Sequence, residues 1–491
     1  MSRVITPLST RWAATLAETR SATRLSFGSG DATLLATVAI VLALMISAGS
    51  ANPAALLLLA IAGALLLTAR SMVAAEPSKP TWVAAIACCS LAFFFNTDLF
   101  GGPQVIFAAA VVIGVVIALR WRFRTGVALA ATASVAASVV PWHWGHGLFD
   151  VFYIETASAL SLLHGGNPYS ATIYDRVPIA PSVVVIGAEH LPYGPAVAVA
   201  SLPGALVGDI RVASVLWAIA AVVVVFMVAR QGMLSPLSRR FLLVLAVALP
   251  LAPSMVVTAW PETLMVVTFG LGLALHRRHA VWTVVAIAAC LLVKPTALVL
   301  FLPFFVWSPS WRKRIVAGSA LALAIMLICS IGVGIPAVAF ATLVRHFWEP
   351  AYYDGLTLGA IVHNSGGAPL LGWIFPAAVA AASLAVLRLR PRDVADLCVA
   401  SAFLFLVSTA FASYARFNFY YVVAFMLLLA LGSRGVSPEP ATRQVTVAHK
   451  GSRRLRYRDP ASAAWFRRTL RAPGVRAASR RRRFPVRGPG P

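Results

Sequence analysis

Charge is scarce in this chain, and acid is scarcest of all. Only 12% of its 491 residues are charged and only 16 are Asp or Glu, whereas 60% are hydrophobic. So small a polar inventory excludes a water-soluble globular domain, because it could not cover the surface of one. Cysteine is rare as well: Cys88, Cys89, Cys290, Cys329 and Cys398 are odd in number, lie inside apolar runs and show no metal-ligand spacing. That pattern excludes a disulfide framework and a structural zinc site, leaving small core residues. No glycine-rich nucleotide loop is present, since Gly165-Gly166 and Gly366-Gly367 are too short to cradle a phosphate. No cleavable signal peptide is expected either, because the first apolar run starts near Ala32, behind Arg3, Arg11, Arg20 and Arg24.

What the chain has is hydrocarbon. Crossing a bilayer core of about 30 Å takes roughly 17–25 helical residues. Against that ruler the sequence predicts an all-α polytopic membrane protein with about 14 spans. They lie near 33–49, 54–69, 81–95, 104–119, 126–141, 212–229, 241–258, 262–276, 280–293, 296–307, 315–335, 370–387, 394–413 and 418–433. The break at Lys294-Pro295 marks 280–293 and 296–307 as a tilted or discontinuous pair. The net charge of +25 would suggest nucleic acid, but residues 434–491 carry 16 of the 41 Lys/Arg against only Glu439 and Asp459. The basic excess is therefore a tail. It is expected to be disordered and cytoplasmic, drawn to anionic lipid or without a specific role, and no nucleic-acid partner is expected.

Orientation follows from the basic loops. With both termini cytoplasmic, only Arg176, Arg211, Lys294, Arg345 and Arg416 fall outside, together with nine of the acids. This holds only if Tyr193–Val207 does not cross, so that stretch is expected to be interfacial or re-entrant. Residues 142–211 form one extracytoplasmic loop, containing Asp150, Glu155, Asp175, Glu189 and Asp209, and 336–369 forms a second. Phe149–His164 is expected to be a short apolar helix stopped at Asn167-Pro168. Asp150, at its first turn, reads either as a helix cap or as a general base. Glu155 reads as a solvated charge or as its helper. His143 and His146 are close in sequence but lack a Cys pair, so no metal site is assigned.

The order of short motifs in this region resembles a known family. An external Asp150 after a span is followed by a short amphipathic helix, Leu-Leu-His-Gly-Gly-Asn-Pro-Tyr at 162–169, Leu-Pro-Tyr-Gly-Pro at 191–195 and Gly-Asp-Ile-Arg at 208–211. Lys-Pro-Thr at 294–296 and His-Asn-Ser at 363–365 come later. This series is similar to the GT-C superfamily of polyprenyl-phosphate-sugar-dependent glycosyltransferases, in particular the membrane mannosyltransferases and arabinofuranosyltransferases of mycobacteria and their relatives. It covers residues 126–433. Two departures stand out: residues 31–125 add four spans before the module, and Tyr-Gly-Pro stands where relatives often have Tyr-Pro-Pro.

The resemblance implies sugar transfer from a polyprenyl-phosphate donor to a cell-envelope glycolipid or polysaccharide, without a nucleotide; no cofactor is assigned, and a divalent metal stays open. Asp150 takes the position of the catalytic base. A phosphate leaving group requires cations, and the external candidates are Lys294, Arg211, Arg416 and Arg345; Lys294, deep in an apolar run, is the foremost unless it only snorkels to the interface. His363 is implied as a second acid or base and Asn364 as a sugar-hydroxyl binder. Glu262 would line the cavity or cap its helix. Tyr153, Tyr169, Tyr193, Trp348 and Tyr352 would stack on sugar faces or anchor the interface. The rival class is a transporter or flippase of lipid-linked sugars, which calls for paired half-chains and midplane charges.

Overall fold

The computed structural model describes residues 28–47, 52–69, 72, 74–94, 104–140, 150–172, 191–249, 251–331, 355–368, 373–388, 390–412, 415 and 417–438. All lie within the first of the chain's two units, Met1–Thr442. Among them every regular element is helical: α1 Ser29–Ser47, α2 Pro53–Ala69, α3 Lys79–Ala92, α4 Gln104–Arg120, α5 Phe123–Val139, α6 Asp150–Leu163, α7 Pro195–Leu206, α8 Arg211–Ala229 and α9 Pro236–Val247. The chain continues with α10 Leu251–Val257, α11 Glu262–Leu275, α12 Ala280–Val293, α13 Leu298–Trp307, α14 Pro309–Ser330, α15 Leu358–Asn364, α16 Ile374–Leu387, α17 Val394–Phe411 and α18 Phe417–Gly432.

This is an α-helical membrane protein. Among the described residues four helices, α1, α8, α14 and α17, are long and apolar enough to cross a bilayer, and shorter apolar helices have 10–17 residues. The helices also leave large apolar side chains facing outward, among them Leu57, Ile106, Leu323 and Ile328. A surface of that kind is stable against lipid rather than water.

The bundle is built around α18, whose residues Tyr420–Leu431 are all buried. It packs against α1, α8, α11 and α17. The N-terminal helices join this core directly: α1 lies on α18, α2 on α17, and α3 and α5 on α9. The span expected at 241–258 is instead two helices, α9 and α10. Pro250 accounts for the break, because it has no N–H to donate and disfavours helical geometry at Leu249. The interruption expected after α12 is present as a single 3-10 turn, Pro295–Ala297.

Two short helices, α6 and α7, occupy stretches expected to be short helical elements. At 1.5 Å per residue, α7 with its 12 residues is only about 18 Å long, too short to cross. α6 ends at Leu163, after which the chain turns through His164 to Gly166, with Gly165 in the left-handed region (φ 73°). α6 packs on α7, and α7 packs on α8 and α12.

Candidate functional site

The starts of α8, α11 and α18 and the end of α12 meet at one end of the bundle, where α6 and α7 pack over them. Each terminus brings a polar side chain to an otherwise apolar junction. Glu262 is the first residue of α11, a position where the helix dipole favours an acid. Ahead of it the backbone turns sharply through Ala259, a non-glycine residue in the left-handed region (φ 56°). Such a conformation costs on the order of 1–3 kcal/mol and persists only where its surroundings fix it.

Lys294 caps the end of α12 in extended conformation, where Pro295 halts the helix. Its ammonium donates to Glu262 Oε1, and Asn418 Nδ2 on α18 donates to the same oxygen at 2.8 Å. The ammonium also lies 4.8 Å from the Tyr193 ring centroid and 4.5 Å from that of Phe419. The Lys294 side chain is 12% exposed and that of Glu262 0%. One carboxylate contact and two aromatic faces thus replace the water this cation gives up. Glu262 Oε2 and Asn418 Oδ1 are buried with no hydrogen-bond partner among the described residues.

A second acid lies close by. Glu155 on α6 is 3% exposed, and its Oε2 accepts a 3.0 Å hydrogen bond from Ser201 Oγ on α7. Its Oε1 has no hydrogen-bond partner among the described residues. Beside it is a cavity of about 20 Å³, lined also by Ser201, Trp217, Ala259, Trp260 and Thr263. Burial pushes the Glu155 carboxyl well above the ordinary carboxylate range; Ser201 opposes this, the Glu262 charge adds to it, and Lys294 opposes it.

The loop motifs hold this junction together. Asn167 donates from Nδ2 to the Cys329 carbonyl of α14 at 2.8 Å and accepts at Oδ1 from the Tyr169 N–H at 3.0 Å. The Tyr169 hydroxyl donates to the Tyr193 carbonyl at 3.0 Å. Gly194 N–H donates to the Val293 carbonyl at 3.1 Å, one residue before Lys294. A proline at 194 could not make that bond.

Arg211 is held at the start of α8 by Asp209, with Nε to Oδ1 at 2.9 Å and Nη2 to Oδ2 at 2.5 Å. Its guanidinium lies 5.1 Å from the Phe152 ring centroid, so the Gly-Asp-Ile-Arg motif clamps α8 to α6. Trp217 Nε1 donates to the Ala200 carbonyl at 3.2 Å and ties α8 to α7.

The structure therefore brings Glu155, Tyr169, Tyr193, Arg211, Glu262 and Lys294 to one end of the bundle. Asp150 is the first residue of α6 by its backbone, but its side chain lies outside the described residues. So do Arg345, Arg416, Trp348, Tyr352, His143 and His146. His363 and Asn364 end α15, a separate short helix on α17, half-buried and exposed respectively. Glu155 is not a solvated charge, because α7 covers it. Glu262 does more than cap its helix, since it binds Lys294, and Lys294 does not snorkel out alone. Tyr169 is buried with its hydroxyl engaged, so it positions Tyr193.

Sequence reasoning missed Ser201, Asn418 and Phe419. A trace of Asn418 was available, as the one amide in the first turn of an apolar helix. No group of three His, Cys, Asp or Glu side chains that could hold a metal occurs among the described residues. Compared with known protein families, curated proteins and solved structures, the chain has no match.

Proposed function

We propose that this protein is an integral membrane glycosyltransferase. It moves mannose or arabinofuranose from a polyprenyl-phosphate donor to a cell-envelope glycolipid or polysaccharide, at the extracytoplasmic face of a bundle of about 14 spans. The observation that carries the reading is the convergence of motif residues far apart in sequence, Asn167, Tyr169, Tyr193 and Gly194, around Lys294 and Glu262.

In this reading Asp150 takes the proton from an acceptor hydroxyl. The freed oxygen attacks the anomeric carbon with inversion, the bond from that carbon to the phosphate oxygen breaks, and polyprenyl phosphate leaves with the bonding electrons. The developing charge is met by Lys294, which is already desolvated and fixed by two rings and a carboxylate. Both Lys294 and Arg211 are paired with a carboxylate, and Lys294 is the cation of choice because the motif residues Tyr193 and Gly194 converge on it.

The test is transfer by the purified full-length protein from polyprenyl-phosphomannose and polyprenyl-phosphoarabinose to short envelope oligosaccharides. Wild type is expected to transfer from one donor, and Asp150→Asn to lose at least about a hundredfold in rate. Near-wild-type turnover by Asp150→Asn would overturn the base assignment. Inactivity with both donors, combined with movement of labelled lipid-linked sugar across sealed vesicles, would instead establish the transporter reading.

A further inference from the structure

We propose that Glu155 is a proton site coupled to anion binding at Lys294, so that a lipid phosphodiester is taken up together with a proton on Glu155. This rests on the reading above, in that Lys294 is where the donor phosphate sits.

The geometry sets up the coupling. Glu155 and Glu262 are both buried, and the cation between these elements, Lys294, is already bound by Glu262. The other charges at this end among the described side chains, Asp209 and Arg211, bind one another. α7, packed directly over Glu155, contributes Ser201 and no charge, and beyond Arg211 α8 is uncharged. On α6 itself the only other acid is Asp150. Among the described side chains, ionised Glu155 therefore leaves three carboxylates, Glu155, Asp209 and Glu262, facing two cations, Lys294 and Arg211; protonated Glu155 leaves those charges equal.

An anionic phosphodiester added beside Lys294 raises the cost of the extra carboxylate charge, since like charges in a desolvated site repel strongly. Protonation relieves that repulsion. The proton also has a seat: Glu155 Oε1 is buried with no hydrogen-bond partner among the described residues, and Glu155 lines a cavity large enough for about one water molecule. Oε2 is already satisfied by Ser201.

The sign follows from linkage. An anion that favours protonated Glu155 binds with uptake of a proton, so its affinity falls as pH rises once Glu155 is ionised in the unbound protein.

The experiment uses the full-length protein in phosphatidylcholine nanodiscs and a polyprenyl methyl phosphodiester, whose single negative charge is constant across the range. Its Kd is measured by calorimetry from pH 5.5 to 9.5 for wild type, Glu155→Gln and Lys294→Gln. Wild-type affinity is expected to fall toward the alkaline end, with a slope approaching tenfold per pH unit. Glu155→Gln should hold the low-pH affinity throughout, and Lys294→Gln should bind at least tenfold more weakly at every pH. Infrared spectra supply a second readout, a protonated-carboxyl C=O band in the lipid-bound wild type at neutral pH that lipid-bound Glu155→Gln lacks.

Binding of equal strength at every pH, or an unchanged slope in Glu155→Gln, overturns the inference while leaving the phosphate site intact. An infrared spectrum without the Glu155 band overturns it as well, even if Glu155→Gln fails to bind. No binding by wild type overturns both the coupling and the function it rests on.

Discussion

Gly194 approaches Leu292 so closely that a Cβ on the glycine would overlap the Leu292 carbonyl oxygen. The contact seats the turn before α7 on the last residues of α12, with Lys294 immediately beyond. Gly194→Ala is therefore expected to push that turn off its support, because the obstacle is backbone and cannot rotate away. The expected destabilisation is about 1–3 kcal/mol, as for other overpacked sites. Urea titration of the purified protein measures it, and lipid-phosphodiester affinity should fall in parallel as Tyr193 leaves Lys294. Unchanged stability and affinity would mean that this close packing does not organise the site.

Lys294 and Glu262 give a sharper test, because their contributions to folding and to function should separate. Lys294→Met leaves Glu262 buried with only Asn418 as partner. Breaking one side of a buried pair typically costs about 3–5 kcal/mol. Removing the second charge as well, in Lys294→Met/Glu262→Gln, should restore most of that loss. A double-mutant cycle in urea reports the coupling, expected at about 1–3 kcal/mol. Anion binding should remain lost in the double variant, showing that its stability and its chemistry have been uncoupled.

Much of this was legible in the sequence, for reasons particular residues make plain. Lys294 announced itself because a lysine in an apolar run is costly unless something receives it, and Pro295 announced the helix end. The shortness of α7 was legible in the prolines and glycines of Tyr193–Val207, which leave room for only a short helix. Glu155 was misjudged because α6 has few polar residues to mark a buried face, and only the packing of α7 over it decides its burial. Asn418 could not be linked to Glu262 by any local rule, since 156 positions separate them. The break between α9 and α10 was available in Pro250, but hydropathy averaged over a window hides a single proline.

Tyr169 offers a test of positioning as opposed to direct contact. Its hydroxyl donates to the Tyr193 carbonyl at 3.0 Å, and Tyr193 in turn faces the Lys294 ammonium. Tyr169→Phe removes that bond and leaves a carbonyl short of its partner, at an expected cost of about 1–3 kcal/mol. If the hydroxyl only positions Tyr193, KM for the lipid donor should rise severalfold while kcat stays within about twofold, since no transition-state contact is lost. A fall in kcat with constant KM would instead place the Tyr169 hydroxyl at the reacting atoms.

Glu76 provides a prediction far from the site and independent of its chemistry. It joins the N-terminal helices to α9 by accepting from Ser235 N–H at 2.6 Å and Ser238 Oγ at 2.7 Å. Burial alone would push this carboxyl up, but hydrogen bonds from Ser238 and Ser235, helped by the Arg434 charge, outweigh it and hold it below its ordinary 4.5. A carboxyl depressed by folding contributes stability that is fully present above its unfolded value and fades as pH drops through its folded one. Thermal unfolding in detergent should therefore show Glu76→Gln less stable than wild type at pH 6, with the difference shrinking below pH 4.5 and vanishing once Glu76 is protonated. A constant difference down to pH 3 would mean that the ionised carboxylate is not what fastens the N-terminal helices to α9.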